Sequence, residues 1–101
     1  MSLQGKVVVM AGASAGVGRA AAREVARRGA HVGLIARGAE RLEDARLEIE
    51  ALSARACVAP ADVADAEQVE RAADRIEAEL GPIDVWINSA MAAKLAEVVD
   101  T

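Results

Sequence analysis

The chain of 101 residues has no tyrosine, no phenylalanine and one tryptophan, Trp86. Much of its hydrophobic fraction of 53% is alanine, and each alanine buries little area. A thin core follows, and this length allows one domain at most. The single cysteine, Cys57, excludes an internal disulfide. Its place in an apolar run predicts a buried, inert thiol. The single histidine, His31, has no second histidine, cysteine or acid at ligand spacing, which argues against a metal centre. No apolar run approaches the roughly 18–20 residues of a membrane helix, and residues 1–5 lack a charged segment followed by an apolar one. The expectation is a soluble, cytoplasmic protein with no membrane partner. Net charge is −4, with arginines scattered among acids rather than gathered on one face. That pattern speaks against nucleic-acid binding.

What is present is an alternation. Lys6–Ala11 and His31–Ala36 are nearly continuous in apolar residues, as parallel strands buried on both faces are. Arg55–Ala59 and Ile83–Asn88 are a third and fourth strand. A helix is predicted over Val17–Arg28, closed by Gly29 in a left-handed cap. A second covers about Ala39–Ser53, with Leu42, Ala45, Ile49 and Leu52 as its apolar stripe. The third begins where Asp65 and Gln68 resemble a capping box and stops at Gly81-Pro82. Its stripe is Val69, Ala72, Ala73, Ile76 and Leu80. Strands alternating with helices over short connections give an α/β fold with a doubly wound parallel sheet. Order 3-2-1-4 puts a crevice between the first and fourth strands, where the order reverses. Trp86 is expected in sheet-to-helix packing.

The chemistry-bearing segment is Gly12-Ala13-Ser14-Ala15-Gly16-Val17-Gly18, directly after the first strand. Glycines let the backbone turn sharply and approach a ligand, and the following helix aims its free N–H groups at an anion. A nucleoside-triphosphate loop needs Lys-Ser or Lys-Thr after its last glycine; Arg19 stands there and neither pair occurs. The fingerprint G-x-G-x-x-G/A fits only if forced onto Gly16, Gly18 and Ala21, and Gly12 already holds its first place. That fingerprint also calls for an acid about 20 residues on, but the second strand ends Leu34-Ile35-Ala36-Arg37. The same lack weakens a methyltransferase reading.

The spacing Gly12-x-x-x-Gly16-x-Gly18 resembles the short-chain dehydrogenase/reductase family. Ala61-Asp62-Val63 after the third strand resembles that family's adenine-contacting Asp-Val pair, and Asn88-Ser89-Ala90-Met91 resembles its Asn-Asn-Ala-Gly segment. The three motifs span nearly the whole chain, in order. The resemblance implies a partial Rossmann-type domain over residues 1–101, with about four strands and three helices. It also implies cofactor contacts at Gly12, Ser14, Ala15, Gly16, Val17, Gly18, Asp62, Val63, Asn88, Ser89 and Ala90. Three residues depart from the pattern: Ala11 for threonine, Ser89 for asparagine, and Met91 for glycine beside the nicotinamide ribose. Ala36 stands where users of NAD commonly carry Asp. Arg37 next to it offers a charged fork to a 2′-phosphate, so the expected cofactor is NADP. The plain alternative for Arg37 is a surface pair with Glu40 or Glu43. Arg19 is weaker evidence, since it could equally pair with acids near Glu24.

Family members catalyse hydride transfer between a nicotinamide and a carbonyl or alcohol, with a Tyr-x-x-x-Lys unit as acid/base. Nothing in these residues fills that role, since tyrosine is absent. The expectation is a cofactor-binding portion without its catalytic half, inactive alone, whether a truncated product, a fragment or a stand-alone remnant. The edge of the fourth strand, with Val85, Trp86 and Ile87, would then lack a neighbour and invite self-association. A non-catalytic nucleotide-binding or dimerising module is the alternative.

Overall fold

A computed structural model describes residues 2–12 and 16–88. β1 (Val7–Ala11), α1 (Gly16–Arg27), β2 (His31–Ala36), α2 (Ala39–Glu50), β3 (Ala56–Pro60), α3 (Ala66–Leu80) and β4 (Val85–Asn88) follow one another along the chain. The sheet has the order β3-β2-β1-β4, and all its pairings are parallel. This is the doubly wound arrangement predicted from the alternation.

The pleat of β1 divides the core in two. Val8 and Met10 face α1 and α2, where they join Ala22, Val25, Leu42 and Ile49. Val7 and Val9 point the other way, into a cluster with Ile35, Cys57 and α3 residues Ala72, Ile76 and Leu80. One hand of crossover accounts for this division. The steps β1–β2–β3 run one way across the sheet, and the step to β4 runs back, which puts α3 on the opposite face. α3 sits close to the sheet because β2 offers it a glycine. A Cβ on Gly33 would lie 2.7 Å from Ile76 Cδ1 and Cγ2.

Local chemistry fixes the ends. Gly29 takes φ +98° after α1, as a left-handed cap requires. The apolar pattern predicts α2 through Ser53, but the helix stops at Glu50. The N–H groups of Leu52 and Ser53 bond three residues back, to Ile49 and Glu50, and Ser53 has φ +67°. Such shorter bonds tighten a last turn, and the left-handed residue sends the chain toward β3. Asp65 caps α3 by accepting from the N–H groups of Glu67 and Gln68. Asp84 tethers the start of β4: its carboxylate accepts the Val7 N–H at 2.8 Å, and its own N–H donates to Val7 O at 2.9 Å.

Burial corrects one expectation. Trp86 does not end up packed between sheet and helix; it is 40% exposed, and Val85 beside it is 38% exposed. α3 lies over β2 and β3 rather than over β4, so no described helix covers the face of β4 that carries Trp86; Val85, one residue earlier, points to the opposite face. Cys57 is buried, and burial first and the Glu79 carboxylate second push its thiol up to about 12. That thiol is protonated at neutral pH and inert. Among the described residues, no helix is long and apolar enough to cross a membrane, and no three metal-capable side chains cluster.

Candidate functional site

Parallel register brings the motif segments to one rim. Ala11 pairs with Ile35 on one side and Asn88 on the other, and Ala36 pairs with Pro60. Asp62, Arg37, Gly12 and Asn88 therefore follow one another, in that order, along the carboxyl ends of the four strands. Ligands of open parallel sheets bind at such ends, beside the reversal of strand order, here between β1 and β4.

The turn at Gly12 has φ +84°, a conformation that favours glycine. Its N–H donates to Ile35 O at 2.5 Å, which anchors the turn to β2. α1 begins at Gly16, one residue before the predicted start, and its first turn carries no acid. No acid of that first turn offsets the positive pole of the helix at the rim. Ser14, Ala15, Ser89, Ala90 and Met91 lie outside the described residues. Arg19, in the first turn of α1, is held by Glu48 of α2 rather than by acids near Glu24: Nη2 meets Oε1 at 2.7 Å, and Arg23 joins the same carboxylate at 3.2 Å. These two arginines hold the Glu48 carboxyl below its ordinary range, Arg19 through the larger effect. Glu24 pairs with Arg27 and Arg28. His31 accepts the Arg55 N–H at Nδ1.

At the outer part of the rim, Arg37, Pro60, Ala61, Asp62 and Gln68 line an open cleft of about 310 Å³. Arg37 does not pair with Glu40 or Glu43. Its Nη2 donates to Asp62 Oδ2 at 2.5 Å, across the ends of β2 and β3. The other carboxylate oxygen, Oδ1, accepts the Ala64 N–H at 2.9 Å. Together the Ala64 N–H, as the larger cause, and Arg37 keep the Asp62 carboxyl below its usual range, so it is charged at neutral pH. Val63 next to it is exposed.

Two residues of this region have roles that sequence reasoning misses. Gln68 has the spacing of half a capping box, yet its Oε1 accepts the Asp62 N–H at 2.9 Å while its Nε2 donates to Asp65 at 3.1 Å. It couples the cap of α3 to the cleft. Asp84 carries a weak signal, an acid just ahead of an apolar run, and nothing in the sequence names its partner.

Residues 6–100 match the family model described as short chain dehydrogenase. The chain belongs to the short-chain dehydrogenase family. Within that family, a short chain dehydrogenase of Pseudocercospora fijiensis is 38% identical over 98 residues, covering 97% of this chain and 32% of the relative. The 2,3-dihydro-2,3-dihydroxybenzoate dehydrogenase of Bacillus subtilis is 38% identical, covering 87% of this chain and 34% of that protein. Among solved structures, L-sorbose reductase from Gluconobacter frateurii, complexed with NADPH and L-sorbose, superposes with a TM-score of 0.80 at 34% identity. That match covers 85% of this chain and 33% of the reductase. The chain thus spans about a third of the length of these two relatives.

Proposed function

We propose that these residues form the NADP-binding portion of a short-chain dehydrogenase/reductase. The observation that carries this reading is Arg37: a guanidinium, with no acid beside it on β2, stands over the rim cleft at the end of that strand. Backbone at Gly12, Gly16 and Gly18 and the start of α1, with Ser14, Ala15 and Val17, would hold the pyrophosphate. Arg37 would take the 2′-phosphate, Asp62 and Val63 the adenine, and Asn88, Ser89 and Ala90 the ribose on the nicotinamide side. The glycine turn at φ +84° and the acid-free first helical turn fit such a ligand. Bound NADP would supply the hydride donor or acceptor for a carbonyl–alcohol interconversion. The residues present bind and orient; the sequence has no tyrosine to serve as the family's acid/base. In this reading the catalytic groups lie outside these 101 residues, which form a partial Rossmann domain inactive by itself.

The test is a titration with NADPH and NADH, followed by energy transfer from Trp86 and by calorimetry. NADPH is expected to bind about tenfold or more tighter than NADH, as a charge-assisted phosphate contact implies. Arg37→Ala should remove that preference. Equal affinities, or no binding to a folded chain, would sink the NADP reading.

A second part of the reading concerns assembly. Exposed Val85 and Trp86 on β4, an outer strand among the described residues, favour self-association through its edge. Light scattering that reports a monomer across a wide concentration range would overturn it. A cytoplasmic location belongs to the same reading, supported by a lone buried thiol that needs no oxidising compartment.

A further inference from the structure

The geometry points to Asp62 as an internal stand-in for the 2′-phosphate, a carboxylate that holds the Arg37 guanidinium until the phosphate displaces it. This rests on the nucleotide-binding reading above and adds a specificity-determining role to it. Three observations carry it. First, Arg37 and Asp62 close on each other across the mouth of the cleft at 2.5 Å. Second, the partners are held unequally. Asp62 is fixed at Oδ1 by the Ala64 N–H and through its own N–H by Gln68, whereas the Arg37 side chain is 76% exposed. The arginine is therefore the member that moves. Third, an exposed ion pair is weak, while a phosphate monoester brings more charge and a third acceptor oxygen to a guanidinium fork.

Exchange of one anion for the other leaves Arg37 between the phosphate and the Asp62 carboxylate, where it screens their repulsion. A nucleotide without the 2′-phosphate offers Arg37 nothing in return and leaves the pair closed. Asp62 thus lowers affinity for phosphorylated ligands by competing for Arg37. Without Arg37, the same carboxylate would repel them outright.

Adenosine 2′,5′-bisphosphate and AMP are the probes, titrated by calorimetry into the wild-type chain and Asp62→Asn at low salt. Asparagine keeps an oxygen for the Ala64 N–H but gives up the charge. The ratio of the AMP to the bisphosphate dissociation constant is expected to rise about two- to fivefold in Asp62→Asn, the range for an exposed pair. An unchanged or lower ratio would overturn the proposal. A second measurement needs no variant: the Arg37 Nε resonance should move when the bisphosphate saturates the wild type and stay near its free position with AMP. If it moves equally with both or with neither, Asp62 is not exchanged for phosphate. If neither probe binds the wild type, the nucleotide reading itself fails and takes this role of Asp62 with it.

Discussion

Val-Val-Val-Met-Ala of β1 and Val-Trp-Ile-Asn of β4 run parallel and in register, with Val8 opposite Val85 and Met10 opposite Ile87. Every β1 residue is buried, whereas β4 has Val85 and Trp86 exposed and only Ile87 packed against the core formed with α1 and α2. The difference lies in what flanks each strand. β1 has a hydrogen-bonded neighbour on both sides and contributes to both core clusters. Among the described residues, β4 has a hydrogen-bonded neighbour on one side and lies away from α3. An apolar run encodes the tendency to be a strand; burial is conferred by elements elsewhere in the sequence.

The largest effect is expected at Met10, which is fully buried in β1. Met10→Ala removes most of the side chain and leaves a cavity, for an expected loss of about 2–5 kcal/mol. Urea unfolding monitored by far-ultraviolet circular dichroism measures it. In a thin, alanine-rich core this loss is enough to unfold much of the population at room temperature. A loss below about 1 kcal/mol, the scale of a surface change, would mean that β1 is not the energetic centre of the sheet.

Gly33 comes next. Its added methyl would meet the Ile76 side chain at 2.7 Å, so Gly33→Ala should destabilise by about 1–3 kcal/mol through overpacking. Ile76→Val in the same chain should recover part of that loss. Absence of any recovery would show that the strain falls on the backbone of β2 rather than on the contact with α3.

The sequence displays the central part of this architecture and hides its margins for the same reason. Periodicity and apolar runs are local, so β1, β2, the α2 stripe Leu42–Ala45–Ile49 and the Asp65 cap are all legible. Glycine spacing, Asp62 and Asn88 can be placed on one rim because strand order follows from the crossover rule. Partners distant in sequence are not legible. Arg37 meets Asp62, 25 residues away, and Arg19 meets Glu48, 29 residues away; any arginine has several acids at plausible range. Gln68 has an adequate local explanation as a cap residue, which conceals its bond to Asp62. The exposure of Trp86 depends on which elements cover β4, and its own segment carries no information about that.

Asp84 sits at the joint between the two strands. It accepts the Val7 N–H across the β1–β4 boundary, so Asp84→Ala leaves that donor without its partner and should cost about 1–2 kcal/mol. Asp84→Asn, which keeps an acceptor, should cost less. Hydrogen exchange at Val7 is the local readout, and protection lost in Asp84→Ala but largely retained in Asp84→Asn is the expected pattern.

A smaller effect comes from the roof over β1. Glu48 ties α2 to Arg19 and Arg23 of α1, and its carboxyl is held below the ordinary glutamate value of 4.5. A depressed folded-state value gives stability that is present above the unfolded value and lost as pH falls through the folded one. Wild type should therefore lose more stability than Glu48→Gln as pH drops below about 4.5 and be the more stable of the two near neutrality. The carboxyl is partly exposed, so the gap should be small and shrink with salt. Parallel acid titrations of the two chains that superimpose at low salt would show that Glu48 supplies no such stability.

The smallest change in stability is expected where the sequence looks most apolar. Trp86→Lys replaces the largest side chain of the molecule, yet the position is 40% exposed on an outer strand, so unfolding free energy should shift by no more than about 0.5 kcal/mol. In the self-association proposed above, its effect falls on association instead. A charge on β4 opposes pairing with another chain, so light scattering should show Trp86→Lys less associated than wild type at equal concentration. A large loss of stability without a change in association would mean that β4 depends on the core no less than β1 does. The contrast between the two strands would then be one of degree, because Trp86 would be contributing packing that its exposure does not reveal.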